Sequence, residues 1–212
     1  MEEERKTREN NRVKKRLPAP ERKKVILDAA LETFAEFGYH GALMDNIAER
    51  AQVTKPILYR HFPSKLDLLL AIIDRAGENL RQSLLKPDTS EVNWITAIRS
   101  GVRSYFDFVE HSESGFRLIY DTDLNVDKRS QERVTEIRSS IIDLVKERIS
   151  YYTDTDAVPP ECIYITSVMI VGMVESTVIH WMNFRKYPRE VYEENLVRGV
   201  ANILAQLPPR RR

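Results

Sequence analysis

The segment 44–62 constrains the fold more than any other part of this sequence. Its sequence is MDNIAERAQVTKPILYRHF, with two short stretches of helical apolar spacing and a polar turn between them. Thr54 is a suitable N-cap for the second stretch, and Pro56 is tolerated in a first helical turn. Small Ala48 lies where the two helices would cross. The apolar residues that would fix their crossing angle are Ile47, Ala51, Val53, Leu58 and Phe62. This pattern predicts a helix-turn-helix.

The second helix of this motif would present a separate polar face to solvent. On a helical wheel, its outward residues are Lys55, Pro56, Tyr59 and Arg60, opposite Leu58. Cations and a phenol bind phosphates and base edges in the major groove of DNA. The sequence therefore predicts a DNA-reading helix.

Helical periodicity continues through the rest of the chain. We find no strand pattern and no internal repeat. The sequence predicts an all-α protein with a three-helix head and a larger helical body, for which the family resemblance given below implies effector binding and dimerisation. We expect a disordered basic arm at 1–20, a helix-turn-helix domain at 21–66, and the body at 67–212.

The charge distribution agrees with a head that docks on phosphates. Residues 1–65 hold 14 Lys and Arg against 10 Asp and Glu, whereas residues 66–212 hold 19 against 22. A basic end on an acidic body is the pattern expected of a DNA-binding protein, although chance asymmetry is an equal alternative. The cluster Lys14-Lys15-Arg16 is either a DNA-contacting arm or a solvated tail.

The single cysteine and the apolar runs indicate where in the cell the protein is found. Cys162 has no partner for an internal disulfide, which fits a reducing cytosol. No apolar run follows the basic N-terminus, so we expect no secretory signal. The longest apolar run, 163–184, contains Glu175, His180 and Asn183, which indicates a buried helix instead of a membrane span. We expect a cytoplasmic protein with no membrane partner.

Three segments of the head resemble the tetracycline-repressor (TetR) family. They are Phe37-Gly-Tyr-His-Gly, Ile47-Ala, and KPILYRHFPSK at 55–65. The resemblance covers about residues 22–70 and implies a transcription regulator, by default a repressor, that binds a double-stranded DNA operator as a homodimer. Two positions depart from the family pattern: Gln52 replaces a turn glycine, and Leu43 replaces a common threonine.

The resemblance also implies roles for individual residues. Tyr59 and Lys65 correspond to phosphate contacts, and Lys55, Pro56 and Ile57 to positions that approach bases. For Ile57, packing in the core of the head is the alternative to a base contact. His61 is similar to the family histidine beside the DNA backbone. Its favoured alternative role is packing within the head. The predicted DNA-binding set is Thr54, Lys55, Pro56, Ile57, Tyr59, Arg60, His61 and Lys65.

In this family the body dimerises through its last two long helices, here about 161–183 and 189–206. The first is apolar nearly all round, so it must be buried by a deep core or by a partner subunit. The predicted interface residues are Val174, Val178, Trp181, Val200 and Leu204.

Short matches at 106–111, 115–120 and 171–173 resemble the branch that controls fatty-acid synthase genes and senses long-chain acyl-coenzyme A. The resemblance implies an apolar ligand in the body. The residues predicted to line its tunnel are Phe106, Phe116, Tyr120, Met169 and Met173, for which plain core packing is the alternative. The alternative ligand is a drug-like cation, in which case the protein would repress an efflux or detoxification gene. Glu175 is the acidic residue of the apolar helix that could face such a cation.

The sequence gives no support for catalysis. Its four histidines are far apart, no pair has metal-ligand spacing, and no glycine-rich phosphate loop is present. Cys162 lacks a local nucleophile signature. We expect no enzyme activity, no cofactor and no metal. An effector-less architectural DNA binder is a further alternative, but a body of about 140 residues exceeds what dimerisation alone needs.

Overall fold

The computed structural model describes residues 18–85, 93–120 and 127–210, with the backbone alone at 118–120. The described chain is α-helical and contains no β-strand, which confirms the predicted all-α class. The cluster Lys14-Lys15-Arg16 and most of the predicted arm lie outside the described residues. Helix α1 begins at Ala19, so the last two residues of the predicted arm are helical.

The chain divides into two units, Met1–Ala71 and Ile72–Arg212. The sequence places this boundary after residue 66, at the start of a helix. In the structure it falls inside helix α4, Lys65–Leu85, because this helix contributes side chains to a core in each unit.

The head unit contains α1 (Ala19–Gly41), α2 (Met44–Arg50), α3 (Lys55–His61) and the first turns of α4. Its fully buried side chains come from every helix and include Ile26, Phe34, Ile47, Leu58 and Leu68. These are the apolar positions with helical spacing, so burial of one stripe from each helix closes the head.

A glycine sets the end of α1. Gly38 has φ 68°, a left-handed conformation that glycine adopts without steric penalty. The sequence predicts that the helix ends here. Instead the chain kinks at Gly38 and continues for one more turn to Gly41, and the Ala42 N–H donates to the Gly38 carbonyl.

The body unit contains the rest of α4 and five further helices. They are α5 (Trp94–His111), α6 (Glu113–Tyr120), α7 (Lys128–Tyr152), α8 (Pro160–Phe184) and α9 (Arg189–Leu204), with a short 3₁₀ turn at Thr155–Ala157. Helix α7 packs along α8, and α9 packs against both α5 and α8. These helices enclose the core of the body.

Helix α8 is the most apolar element of the described chain, with a mean hydropathy of 1.8 over its richest 18 residues. By length and composition alone it would suffice to cross a membrane. Only 39% of that window is buried in the single chain. Glu175 lies within it, 6% exposed, and pairs with Arg138 of α7 at 3.0 Å. The helix therefore has a core side and an uncovered apolar side.

Candidate functional site

Helix α3 presents a polar face to solvent in the head. Thr54 precedes it as N-cap residue, although its hydroxyl makes no capping hydrogen bond. Lys55, Pro56, Tyr59 and Arg60 are exposed, and Leu58 on the opposite side is fully buried. Ile57 is half-buried between the two faces. The exposed side is rich in cations and contains no carboxylate, so its chemistry suits phosphate and base edges.

Lys55 forms an ion pair across the two helices of the motif. Its Nζ lies 2.7 Å from Oδ2 of Asp45 on α2, and both side chains are more than half exposed. This hydrogen bond raises the pKa of Lys55 above its ordinary value. Exposed pairs of this kind contribute little stability, so the ammonium remains available to a stronger anion such as phosphate.

Lys65 is held in a different way from the predicted phosphate contact. Its Nζ donates to the carbonyls of Tyr39 at 2.7 Å, His40 at 3.2 Å and Ala42 at 2.9 Å. It also lies 4.6 Å from the centre of the Tyr39 ring. An ammonium has three N–H donors, and all three are used here. In this structure Lys65 therefore caps the end of α1, and its phosphate contact stays a prediction.

His61 faces the interior of the head with one of its ring nitrogens. Its Nε2 is buried and has no hydrogen-bond partner among the described residues. Burial lowers the pKa of His61, and the nearby cations Arg60, Arg22 and Lys23 lower it further. The burial of this nitrogen supports the packing role weighed for His61, and the predicted contact with the DNA backbone stays a prediction.

The turn between α2 and α3 has the geometry expected for the family glycine that Gln52 replaces. Gln52 has φ 51°, in the left-handed region. In this conformation a residue with a Cβ is destabilised by about 1 kcal/mol. Leu43, the other departure, precedes α2 without a side-chain cap and is 58% exposed. Both departures lie in or beside the helix-turn-helix.

The body contains an apolar cavity of about 400 Å³. This volume lies within the range of small-molecule sites. Side chains from α4, α5, α7, α8 and α9 line it. They include Leu84, Ala97, Ile98, Val102, Ile141, Leu144, Val145, Val171, Val174, Val200 and Leu204. Five helices of the body thus contribute described residues to the wall.

The four predicted ligand residues whose side chains the structure describes do not line this cavity. Phe106 and Phe116 are fully buried in the core, where the Phe106 ring lies 5.0 Å from that of Trp181. Met169 is 54% exposed, and Met173 packs beside Gly199. The Tyr120 side chain lies outside the described residues. The four described side chains therefore have the core or surface roles that were the alternative to a tunnel.

The residues predicted for the dimer interface are mostly buried within their own chain, and their role in an interface stays a prediction. Val174, Val178, Trp181 and Val200 are each at most 8% exposed within their own chain, and Leu204 is half-buried. Three of the five line the cavity; they are Val174, Val200 and Leu204.

A different side of α8 is uncovered. Ile165 is 54% exposed, Val168 39% and Met169 54%. Gly172 follows one turn later, and a Cβ built there would meet no atom within 4 Å. We call these four residues the α8 face. They share one side of the helix because their spacing follows its period.

None of the described residues that line the cavity was predicted as a ligand contact. Two of them are Gly101 of α5 and Arg148 of α7. A signal for both was present. Arg148 continues the apolar stripe that runs through Ile141 and Leu144, and Gly101 interrupts α5 where glycine weakens a helix.

Two family models match the chain. "Bacterial regulatory proteins, tetR family" matches residues 26–72, and "Tetracyclin repressor-like, C-terminal domain" matches residues 95–203. The first covers the head from α1 into α4. The second covers the body from α5 to α9.

The similarity to known proteins extends over most of the chain. The HTH-type transcriptional activator FasR of Mycolicibacterium smegmatis is 34% identical over 193 residues, which are 91% of this chain and 85% of that protein. A tetR-family transcriptional regulator from Streptomyces coelicolor has the same fold, with TM-score 0.73 and 24% identity over 90% of this chain and 83% of its own. The fatty acid degradation regulator FadR from Bacillus halodurans also shares it, with TM-score 0.67 and 21% identity over 90% and 96%.

Proposed function

This chain belongs to the TetR family of DNA-binding transcription regulators, and we propose that a small apolar ligand in the body cavity switches its operator binding. TetR-family regulators are not enzymes; they are generally cytoplasmic and bind DNA operators as dimers. The cavity of about 400 Å³ is the observation that carries the proposal. A protein that only held two heads together would gain stability by filling this space.

Helix α4 is the proposed link between ligand and operator. It begins at Lys65 in the head unit, and Leu84 in its last turn lines the cavity of the body unit. A ligand that displaces Leu84 moves a helix whose first turns belong to the head core. A hundredfold loss of operator affinity corresponds to about 2.7 kcal/mol of coupling, which is within the usual allosteric range.

We assign the ligand to the lipid class, with long-chain acyl-coenzyme A as the first candidate. The sequence resemblance to the fatty-acid synthase branch and the 34% identity to FasR support this class. The wall of the cavity also supports it, because aliphatic side chains predominate there.

A drug-like cation is the less favoured alternative. No carboxylate lines the cavity among the described residues. Glu175, the acidic residue within the apolar helix, does not line it and pairs with Arg138 instead. A cationic ligand would therefore enter this cavity without a counter-charge, at a cost in desolvation.

For operator binding we propose the exposed residues of α3, namely Thr54, Lys55, Pro56, Tyr59 and Arg60, with Ile57 beside them. For the dimer we propose the α8 face, because it is apolar and uncovered in the single chain. Burial of such a face against its copy is the usual solution for a symmetric dimer.

Operator binding is tested on a duplex selected from random sequences by the purified protein. We expect Arg60→Ala to weaken binding and to lower the slope of log affinity against log salt by about one, because one phosphate contact is lost. Lys65→Ala should lower the melting temperature of the protein, because three carbonyls lose their donor. Equal competition by unselected duplexes at physiological salt would contradict the regulator assignment.

The ligand switch is tested with palmitoyl-coenzyme A and the same duplex. We expect this ligand to change operator affinity of the wild type, and Val174→Phe to bind operator without responding, because the larger side chain fills the cavity. Val174→Ala leaves the cavity open and should still respond. Wild-type operator affinity that is unchanged by acyl-coenzyme A of any chain length, yet lowered by a drug-like cation, would overturn the lipid assignment.

A further inference from the structure

Arg148 is the only charged residue among the described residues that line the cavity. It lies on α7, seven residues after Ile141 and four before Tyr152, which also line it. These spacings place the three residues on one side of the helix. The arginine is half-buried as a residue.

Arg148 lacks the ion pairs that several other arginines of the body form with described residues. Arg138 pairs with Glu175, Arg99 with Glu194, and Arg189 with three carboxylates. Within the described part of the chain, no hydrogen bond or ion pair is formed by Arg148. A cation beside an apolar wall is unfavourable unless an anion accompanies it.

The guanidinium lies against the backbone of α5 at Gly101. A Cβ built at this glycine would be 3.7 Å from Nη1 of Arg148. Glycine weakens the interior of a helix, and α5 nevertheless has one at this point. Gly101 therefore places no side chain beside the guanidinium, and both residues line the cavity.

We propose that Arg148 binds the anionic group of an amphiphilic ligand whose apolar chain fills the cavity. This inference rests on the proposed ligand switch and narrows its ligand. A guanidinium donates two parallel hydrogen bonds to a carboxylate or a phosphate, and such charge-assisted bonds are stronger than neutral ones. The two sources of this chemistry are a free fatty acid, through its carboxylate, and an acyl-coenzyme A, through its phosphates.

Calorimetric titration of the full-length protein with three probes of one chain length tests this. They are dodecanoate, lauroyl-coenzyme A and the neutral dodecanol. We expect at least one anionic probe to bind the wild type about tenfold tighter than dodecanol, and Arg148→Gln to lose that preference. The probe that loses affinity identifies the source. Unchanged dodecanol affinity in Arg148→Gln shows that the cavity is intact.

Lys146→Gln is the matched control, because Lys146 lies on the same helix, does not line the cavity and is exposed beside Asp143. It should keep the wild-type preference. Equal wild-type affinity for all three probes, or a preference that survives in Arg148→Gln, overturns the inference. If palmitoyl-coenzyme A still alters operator binding in that case, the proposed ligand switch stands. If no probe binds and operator binding does not respond, the switch fails as well.

Discussion

At the scale of residues, burial decides which polar side chains of the head are available to DNA. Lys65 and His61 lie within the segment that resembles the TetR signature, yet the ammonium of Lys65 is used by three carbonyls and the Nε2 of His61 is buried. Lys55, Tyr59 and Arg60 remain exposed. A sequence shows which residues carry donors, but it does not show how many of those donors the fold itself uses.

The buried ring of His61 makes the stability of the head depend on pH. Its pKa is lowered in the folded protein, so the unfolded chain binds more protons near pH 6.5. Stability is therefore fully present above about pH 6.5 and falls as the pH decreases towards the folded-state pKa. We expect His61→Gln to reduce this fall in denaturation midpoints measured from about pH 8 to about pH 5.

The exposed His40 provides the comparison for that experiment. His40→Gln should retain the wild-type pH dependence. If His61→Gln also retains it in full, the neutral buried ring is not the cause.

At the scale of elements, the helices could be predicted, whereas their orientation could not. Caps, prolines and apolar spacing placed the helices close to where they occur, as at Ser64, whose hydroxyl accepts from the Asp67 N–H. In α8 nearly every position is apolar, so periodicity does not distinguish Val174 in the core from Val168 on the surface. The residues that line the cavity were missed for a related reason. The cavity depends on how five helices meet, and the apolar stripe of each helix is the same whether it closes a core or lines a space.

The contact between α4 and α7 leaves no room for a side chain at Gly77. A Cβ built there would lie 2.6 Å from Cδ1 of Ile137, and two further atoms of that side chain lie within 3 Å. Arg133 and Asp74 form an ion pair between the same helices at 3.3 Å. We expect Gly77→Ala to destabilise the protein by about 1–3 kcal/mol by overpacking, partly offset by helix propensity.

A double-mutant cycle in urea checks this contact. The loss caused by Gly77→Ala should be smaller in the Ile137→Ala background, because the clashing atoms are gone. Equal losses in both backgrounds would show that Gly77 and Ile137 do not constrain each other.

At the scale of the whole molecule, the α8 face is apolar and exposed in the single chain, so we expect a partner subunit to cover it. Gly172 has open space around it within the subunit, so an arginine fits there in a monomer but projects into any partner. We expect wild type and Val174→Phe to be dimers by light scattering at micromolar concentration, and Gly172→Arg to be a folded monomer that has lost operator binding. A dimeric Gly172→Arg would exclude this face as the interface, and a monomeric wild type would exclude the dimer itself.

The division between the two units after Ala71 lies inside a continuous helix, and this limits how such regulators can exchange parts. Each residue inserted into an α-helix turns everything beyond it by about 100° and advances it by about 1.5 Å. A recombination event, natural or engineered, that joins this head to another body therefore has to preserve helical phase. Insertions or deletions near residue 71 are tolerable chiefly in sets that approximate whole turns, whereas point substitutions on either side are not restricted in this way. Sensing and DNA-reading units can thus diversify separately while the length of the segment that joins them stays fixed.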